Sequence, residues 1–109
     1  MSAHEHYTVY YVHPSVREFV KDLDRNARSK YDRLLSLLAQ KGPQLGMPFV
    51  KKIHPRLYEL RILGLHNVRL LYVFRQNEIW LLHGIRKKRD SIPPKDIALA
   101  LNRLSILET

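Results

Sequence analysis

Between Leu57 and Arg86 three apolar runs are joined by very short connections: "GLHN" at 64–67 and "QN" at 76–77. Parallel neighbours need a crossover of a dozen or more residues, so joints this short permit only antiparallel hairpins. The chain is thereby committed to a three-stranded meander over about 57–63, 67–75 and 78–86. Everything else must pack around that sheet.

Strand alternation sorts its side chains. Tyr58, Leu60 and Ile62 share one face, and Glu59 and Arg61 the other. Val68, Leu70, Tyr72 and Phe74 form the core face of the second run, with Arg69 and Arg75 opposite. A hairpin centred on Leu65 puts Arg61 directly across from Arg69. Two arginines at the ~5 Å cross-strand spacing repel unless an anion lies between them. Glu59 supplies part of that charge, and a bound phosphate is a candidate for the rest. The plainer alternative is that Arg61 pairs with Glu59 or Glu78 on a solvated face, where ion pairs contribute little. The third run, "IWLLHGI", is apolar on both faces. A two-residue and a three-residue turn give registers one residue apart, and that slip decides whether His83 and Lys87 join the Arg69 face or the core face.

Upstream, "YTVYYV" at 7–12 is β-branched and aromatic and reads as a strand ended by His13-Pro14. Val16, Phe19, Val20 and Leu23 fall on one helical face, with Ser15 as its cap. Ala27, Tyr31, Leu34, Leu35 and Leu38 mark a second helix, stopped by Gly42-Pro43. Residues 43–56 hold Pro43, Gly46, Pro48 and Pro55 and read as loop. A last helix runs from about Pro93 to Leu107, capped by Ser91 or Asp90. The order predicts one α+β domain over 1–109, with an N-terminal strand, a helical hairpin on one face of the sheet and a C-terminal helix. The other sheet face is left to a partner or to solvent.

The chain of 109 residues suits a single modest core. No apolar run approaches the roughly 18 residues of a membrane helix, and the N-terminus lacks the order of a signal peptide. There is no cysteine, which removes disulfides and thiolate chemistry. These features point to a soluble cytoplasmic protein. The net charge of +9 is uneven: residues 51–90 carry ten basic against three acidic residues. Such clustering is the electrostatic footprint expected of a protein that meets a polyanion. The six histidines show no zinc-like spacing, so neither metal nor other cofactor is expected. Glycine-rich phosphate loops and nucleophile elbows are also missing. Tyr7, Tyr10 and Tyr11 can stack on bases but also suit a core and a sheet edge.

Four pieces in order, "LYELR" at 57–61, "VRLLY" at 68–72, "LLHGIRKK" at 81–88 and "PPKDIALA" at 93–100, resemble the RelE/HigB-like toxins of type II toxin–antitoxin modules. The phage-derived HigB-like branch is the nearest match. The resemblance implies a RelE-like α+β fold and a metal-independent endoribonuclease, an mRNA interferase that inhibits growth by cleaving messenger RNA on the ribosome. In that reaction a ribose 2′-hydroxyl attacks the adjacent phosphate, so no protein nucleophile is required. The protein must hold the RNA in line, neutralise charge and move protons.

Carried over by position, the resemblance makes Arg61, Arg69 and Lys87 catalytic cations, with Lys88 a substitute for Lys87. His83 is a candidate acid or base. Lys51, Lys52, His54, Arg86, Lys88 and Arg89 are candidates to hold RNA phosphates, as arginine and lysine do. Two departures stand out. Glu59 occupies a position where RelE-type members have a lysine. The C-terminal stretch has neither the tyrosine of RelE nor the Tyr/His cluster of several HigB proteins, leaving His83, His54, Glu59 or Tyr72 as replacements. The implied partners are messenger RNA, the ribosome and a cognate helix-turn-helix antitoxin from the adjacent gene, through which alone operator DNA is bound. No membrane partner is implied. A gyrase poison of the related ParE branch and a non-enzymatic basic binding module are the rival readings.

Overall fold

The computed structural model describes residues 6–64, 67–87 and 91–109. The proposed hairpin centre Leu65, the cap candidate Asp90, and His4 and His66 lie outside the described residues, so those expectations stay where the sequence left them. The elements run β1 (Thr8–Tyr11), α1 (Pro14–Lys21), α2 (Arg25–Lys41), a 3-10 turn (Gly42–Gln44), β2 (Val50–His54), β3 (Leu57–Ile62), β4 (Asn67–Arg75), β5 (Glu78–Lys87) and α3 (Pro94–Glu108). They form one five-stranded sheet in the order β1-β5-β4-β3-β2.

The meander is present as expected. β3, β4 and β5 are successive antiparallel neighbours, and Arg61 lies opposite Arg69. Two strands extend it. β1 pairs parallel with β5, Thr8 opposite Glu78 and Tyr11 opposite Leu81. β2 pairs antiparallel with β3, Val50 opposite Leu60 and Lys51 opposite Glu59. Residues 43–56 are therefore not all loop. Pro48 and Pro55 flank β2 without entering it, as an edge strand allows. A register irregularity between Lys52 and His54 breaks the alternation that would have revealed it.

Helix starts also differ from expectation. Pro14 occupies the first turn of α1, which moves the cap to His13, whose Nδ1 accepts the Ser15 N–H at 3.0 Å. Ser15 is thus inside the helix. Pro93 is the N-cap of α3 and has no side-chain acceptor, so Ser91 does not cap it. Asp96 supplies an acid in that first turn instead. α2 begins at Asp24, which accepts the Ala27 N–H at 2.8 Å. It ends at Gly42, whose φ of 57° suits glycine.

Both faces of the sheet are covered, which overturns the expectation of one bare face. Leu60, Ile62, Val68, Leu70, Tyr72, Ile79 and Leu81 pack with Val16 and Val20 of α1 and Tyr31 and Leu38 of α2. Leu57, Leu71, Val73, Leu82 and Ile85 pack with Ile92 and with Ala100 and Leu104 of α3. The doubly apolar third run has its explanation here. β5 lies between β4 and β1, buried from above and below.

Gly84 in β5 lets α1 lie directly on the sheet. A Cβ there would stand 2.2 Å from Phe19 Cδ2 and 2.6 Å from Phe19 Cγ. Because Cγ is near the root of the side chain, rotating the ring away gives little relief. Gly84→Ala is expected to cost about 1–3 kcal/mol, the usual scale of overpacking. In a Phe19→Ala background the same change should cost less than half as much, measured by urea unfolding of the double-mutant cycle. Equal costs in both backgrounds would show that this contact is not the cause.

Candidate functional site

The register question at β5 is resolved by a bulge. Arg75 pairs with Glu78 across the two-residue turn, where Gln76 takes a positive φ of 54°. Leu71 pairs with His83 but Tyr72 with Leu81, so Leu82 is the extra residue. The turn sets one register and the bulge resets it. As a result His83 and Ile85 join the α3 face, the face that also carries Arg69, Leu71 and Glu59.

The bulge needs support because Leu82 has no ladder partner. Arg103 of α3 supplies it. Its Nη1 donates to the Leu82 carbonyl at 2.7 Å and its Nη2 to Ser15 Oγ at 2.9 Å. Burial lowers the pKa of this guanidinium from the usual arginine range. One side chain thereby ties α3, β5 and the start of α1 together. Arg103→Ala leaves a part-buried carbonyl unsatisfied and is expected to cost about 1–3 kcal/mol. Amide hydrogen exchange should then speed up around 81–84 before it does in β4. Unaltered exchange there would show that the bulge holds without Arg103.

On the α3 face Lys51, Glu59, Leu71 and His83 form one transverse row. Arg61, Arg69 and Ile85 form the next. Glu59 is 3% exposed and sits between the two arginines. Its Oε2 lies 3.4 Å from Arg69 Nε and its Oε1 3.6 Å from Arg61 Nε. These are ionic contacts slightly longer than good hydrogen bonds. Glu59 therefore supplies the part of the negative charge expected of it, and two cations and one anion leave a net charge of +1. Arg69 is as buried as Glu59 and also donates Nη1 to the Val68 carbonyl at 3.1 Å. Arg61 is the accessible member, with its side chain 24% exposed. The pairing of Arg61 with Glu59 holds, but on a covered face. Glu78 instead accepts from Trp80 Nε1 at 2.8 Å.

His83 Nε2 lies 2.7 Å from Asp96 Oδ1, and both side chains are 16% exposed. An ionised carboxylate only accepts, so Nε2 carries the hydrogen of this bond. The diagonal spacing places His83 roughly 7–8 Å from Arg69, backbone to backbone. Asp96 had no signal in the sequence beyond an acid in a helix first turn. A cavity of about 310 Å³ opens over this face, lined by Lys51, Lys52, Ile53, Glu59, Ser91, Ile92 and Ile97.

The other candidates scatter. Lys52 Nζ lies 5.8 Å over the Tyr58 ring, although the residue also borders the cavity. Arg86 turns to the α1 side, 5.0 Å over the Phe19 ring with Nη2 donating to the Asp22 carbonyl at 3.3 Å. His54 caps the β2–β3 turn through Nδ1, which accepts the Arg56 N–H at 3.0 Å. That is the opposite end of β3 from Arg61. Lys87 pairs through its backbone with Asn67. The Lys87 side chain, Lys88 and Arg89 lie outside what the structure describes. Tyr72 faces the α1/α2 core, and burial and the neighbouring Tyr58 push its pKa upward, a poor base there. Tyr7 packs on Phe74, Tyr10 stacks on Trp80 and Tyr11 bonds Tyr31, so all three serve the fold. Among the described residues no three His, Asp or Glu side chains group as a metal-binding set. No described helix is long and apolar enough to cross a membrane.

The fold is that of known toxins. A mutant of the Escherichia coli toxin RelE in the free state superposes with a TM-score of 0.65 at 14% identity, covering 91% of this chain and 98% of that one. The YoeB-YefM complex from Staphylococcus aureus matches with a TM-score of 0.58 at 20% identity, covering 76% and 98%. A heterotetrameric YoeB-YefM toxin–antitoxin complex from the same organism gives 0.55 at 18%, covering 76% and 98%. No curated protein matches the sequence. The sequence itself matches the family described as phage derived protein Gp49-like (DUF891) across residues 18–105. With most of its length matched and a RelE-type sheet beneath it, the chain belongs to the phage-derived Gp49-like family.

Proposed function

We propose that this protein is the toxin of a type II toxin–antitoxin pair, and that it cleaves messenger RNA on the ribosome. The observation that carries the reading is the polar set Lys51, Glu59, Arg61, Arg69 and His83, gathered on one face of a RelE-type sheet beside an open cavity. Charge buried on an otherwise apolar face is costly, and such sets concentrate at functional sites.

In the proposed reaction the 2′-oxygen of a ribose bonds to the adjacent phosphorus. The bond from phosphorus to the 5′-oxygen of the next nucleotide breaks. One proton leaves the 2′-hydroxyl and one is delivered to the departing 5′-oxygen. His83 Nδ1 is the group assigned to proton transfer, oriented by Asp96. Arg61 and Lys51 meet the phosphate, with Lys87 as a third cation by position. Arg69 is assigned a positioning role, since it fixes Glu59 and through it Arg61. No step calls for a metal.

The partner reading is a cognate antitoxin, of helix-turn-helix type, encoded next to this chain and carrying any contact with operator DNA. The YoeB relatives are seen as complexes with YefM, which supports a protein partner here. To test the function, the protein is induced in cells and messenger 5′ ends are mapped. New ends within coding regions are expected. Growth arrest with unchanged transcripts would sink the ribonuclease reading. α3 contains neither tyrosine nor histidine, which keeps the gyrase-poison alternative in play. A supercoiling assay with purified gyrase decides it.

A further inference from the structure

A second cavity of about 330 Å³ lies on the other side of Arg61, at the corner where α2 passes the end of β3. Its walls are carbon. Leu34 and Leu37 come from α2, and Phe49 and Leu63 from the ends of the loops beside it. Phe49 is 38% and Leu63 45% exposed, which is unusual for large apolar side chains placed side by side. Its rim is cationic, with Lys30, Arg33 and Arg61 on the lining and no acid there among the described residues. α2 carries five basic residues and a single acid, Asp32, which is already paired with Arg28 at 3.2 Å.

We infer that this groove docks an amphipathic acidic segment of a partner protein, its apolar side chains on Phe49 and Leu63 and its carboxylates on Arg33, Lys30 and Arg61. The inference rests on the reading of the chain as a toxin with a cognate protein partner. Charge complementarity selects the acidic segment. Aliphatic walls with one aromatic ring favour a peptide over RNA, which seeks stacking surfaces. Arg61 gives the groove its consequence. Its Nε faces Glu59 on the α3 side while the same side chain lines the groove, so an occupant here engages an accessible cation of the proposed RNA site.

The test measures calorimetric affinity between the full-length protein and the product of the adjacent gene. Wild type is compared with Leu63→Asp and Arg33→Glu, both exposed positions outside the proposed catalytic set. Each variant is expected to raise Kd by roughly tenfold or more, the scale of an interface hot spot. The Arg33→Glu effect should shrink in high salt as screening removes the repulsion. Should Leu63→Asp fail to fold, Arg33→Glu carries the test alone. Wild-type affinity in a folded Arg33→Glu and in Leu63→Asp would overturn the docking site and leave the toxin reading standing. No binding by wild type would remove both. Unchanged partner affinity with lost RNA cleavage would assign the groove to RNA and also overturn the inference.

Discussion

Arg69→Ala is expected to destabilise this protein by about 3–5 kcal/mol, because it removes the buried cation beside a buried carboxylate. Glu59 and Arg69 are each 3% exposed, and Oε2 of Glu59 has Arg69 Nε at 3.4 Å. Arg61 remains near the other oxygen, at 3.6 Å, but its side chain is 24% exposed, so water weakens its hold on the carboxylate. For a chain of this size the loss is a large part of total stability. The double variant Glu59→Met/Arg69→Met should recover most of it, since apolar groups of similar volume replace a buried pair at little net cost. Urea unfolding of the three proteins, wild type, Arg69→Ala and the double variant, measures both effects. A wild-type midpoint for Arg69→Ala would mean that Glu59 finds water, and the buried-pair account would be wrong. The same result bears on function. Loss of toxicity in Arg69→Ala reports on the fold as much as on RNA, so Arg61 and Lys51 are the more informative cations to remove.

His83→Gln should lower the single-turnover rate of RNA cleavage by roughly 10²–10⁴-fold, the usual contribution of a positioned acid or base. Glutamine keeps a donor in reach of Asp96 but cannot exchange a proton near neutral pH. RNA affinity and thermal midpoint should therefore change little. Asp96→Asn removes the negative charge beside Nε2 and leaves only an amide oxygen to accept its hydrogen, and it should slow cleavage less than His83→Gln does. If His83→Gln cleaves at the wild-type rate, the 2.7 Å bond serves only to pin the start of α3 to β5.

Particular residues show why some of this was legible in the sequence. The Arg61–Arg69 pairing followed from alternation and a short hairpin, both local. The helix faces of Val16 and Val20, and of Tyr31 and Leu38, followed from a 3.6-residue period. β2 was hidden because prolines flank it and its register shifts between Lys52 and His54. Arg86 looked equivalent to its basic neighbours, but strand parity turns it onto Phe19. Of the candidate cations, Lys51, Arg61 and Arg69 share a face with His83, whereas Arg86 and His54 do not join them.

Sequence by itself determined the meander, the two amphipathic helices before it, the helix after it and the concentration of positive charge, because each depends on residues a few positions apart. Only the tertiary structure decided that α3 covers the face opposite α1 and α2. That placement buries Arg69 with Glu59, brings Arg103 to the Leu82 bulge and sets Asp96 against His83. The reason is physical. Burial, and the pairing of polar groups 10 to 21 positions apart in the chain, depend on which elements pack together, and a local period carries no record of that.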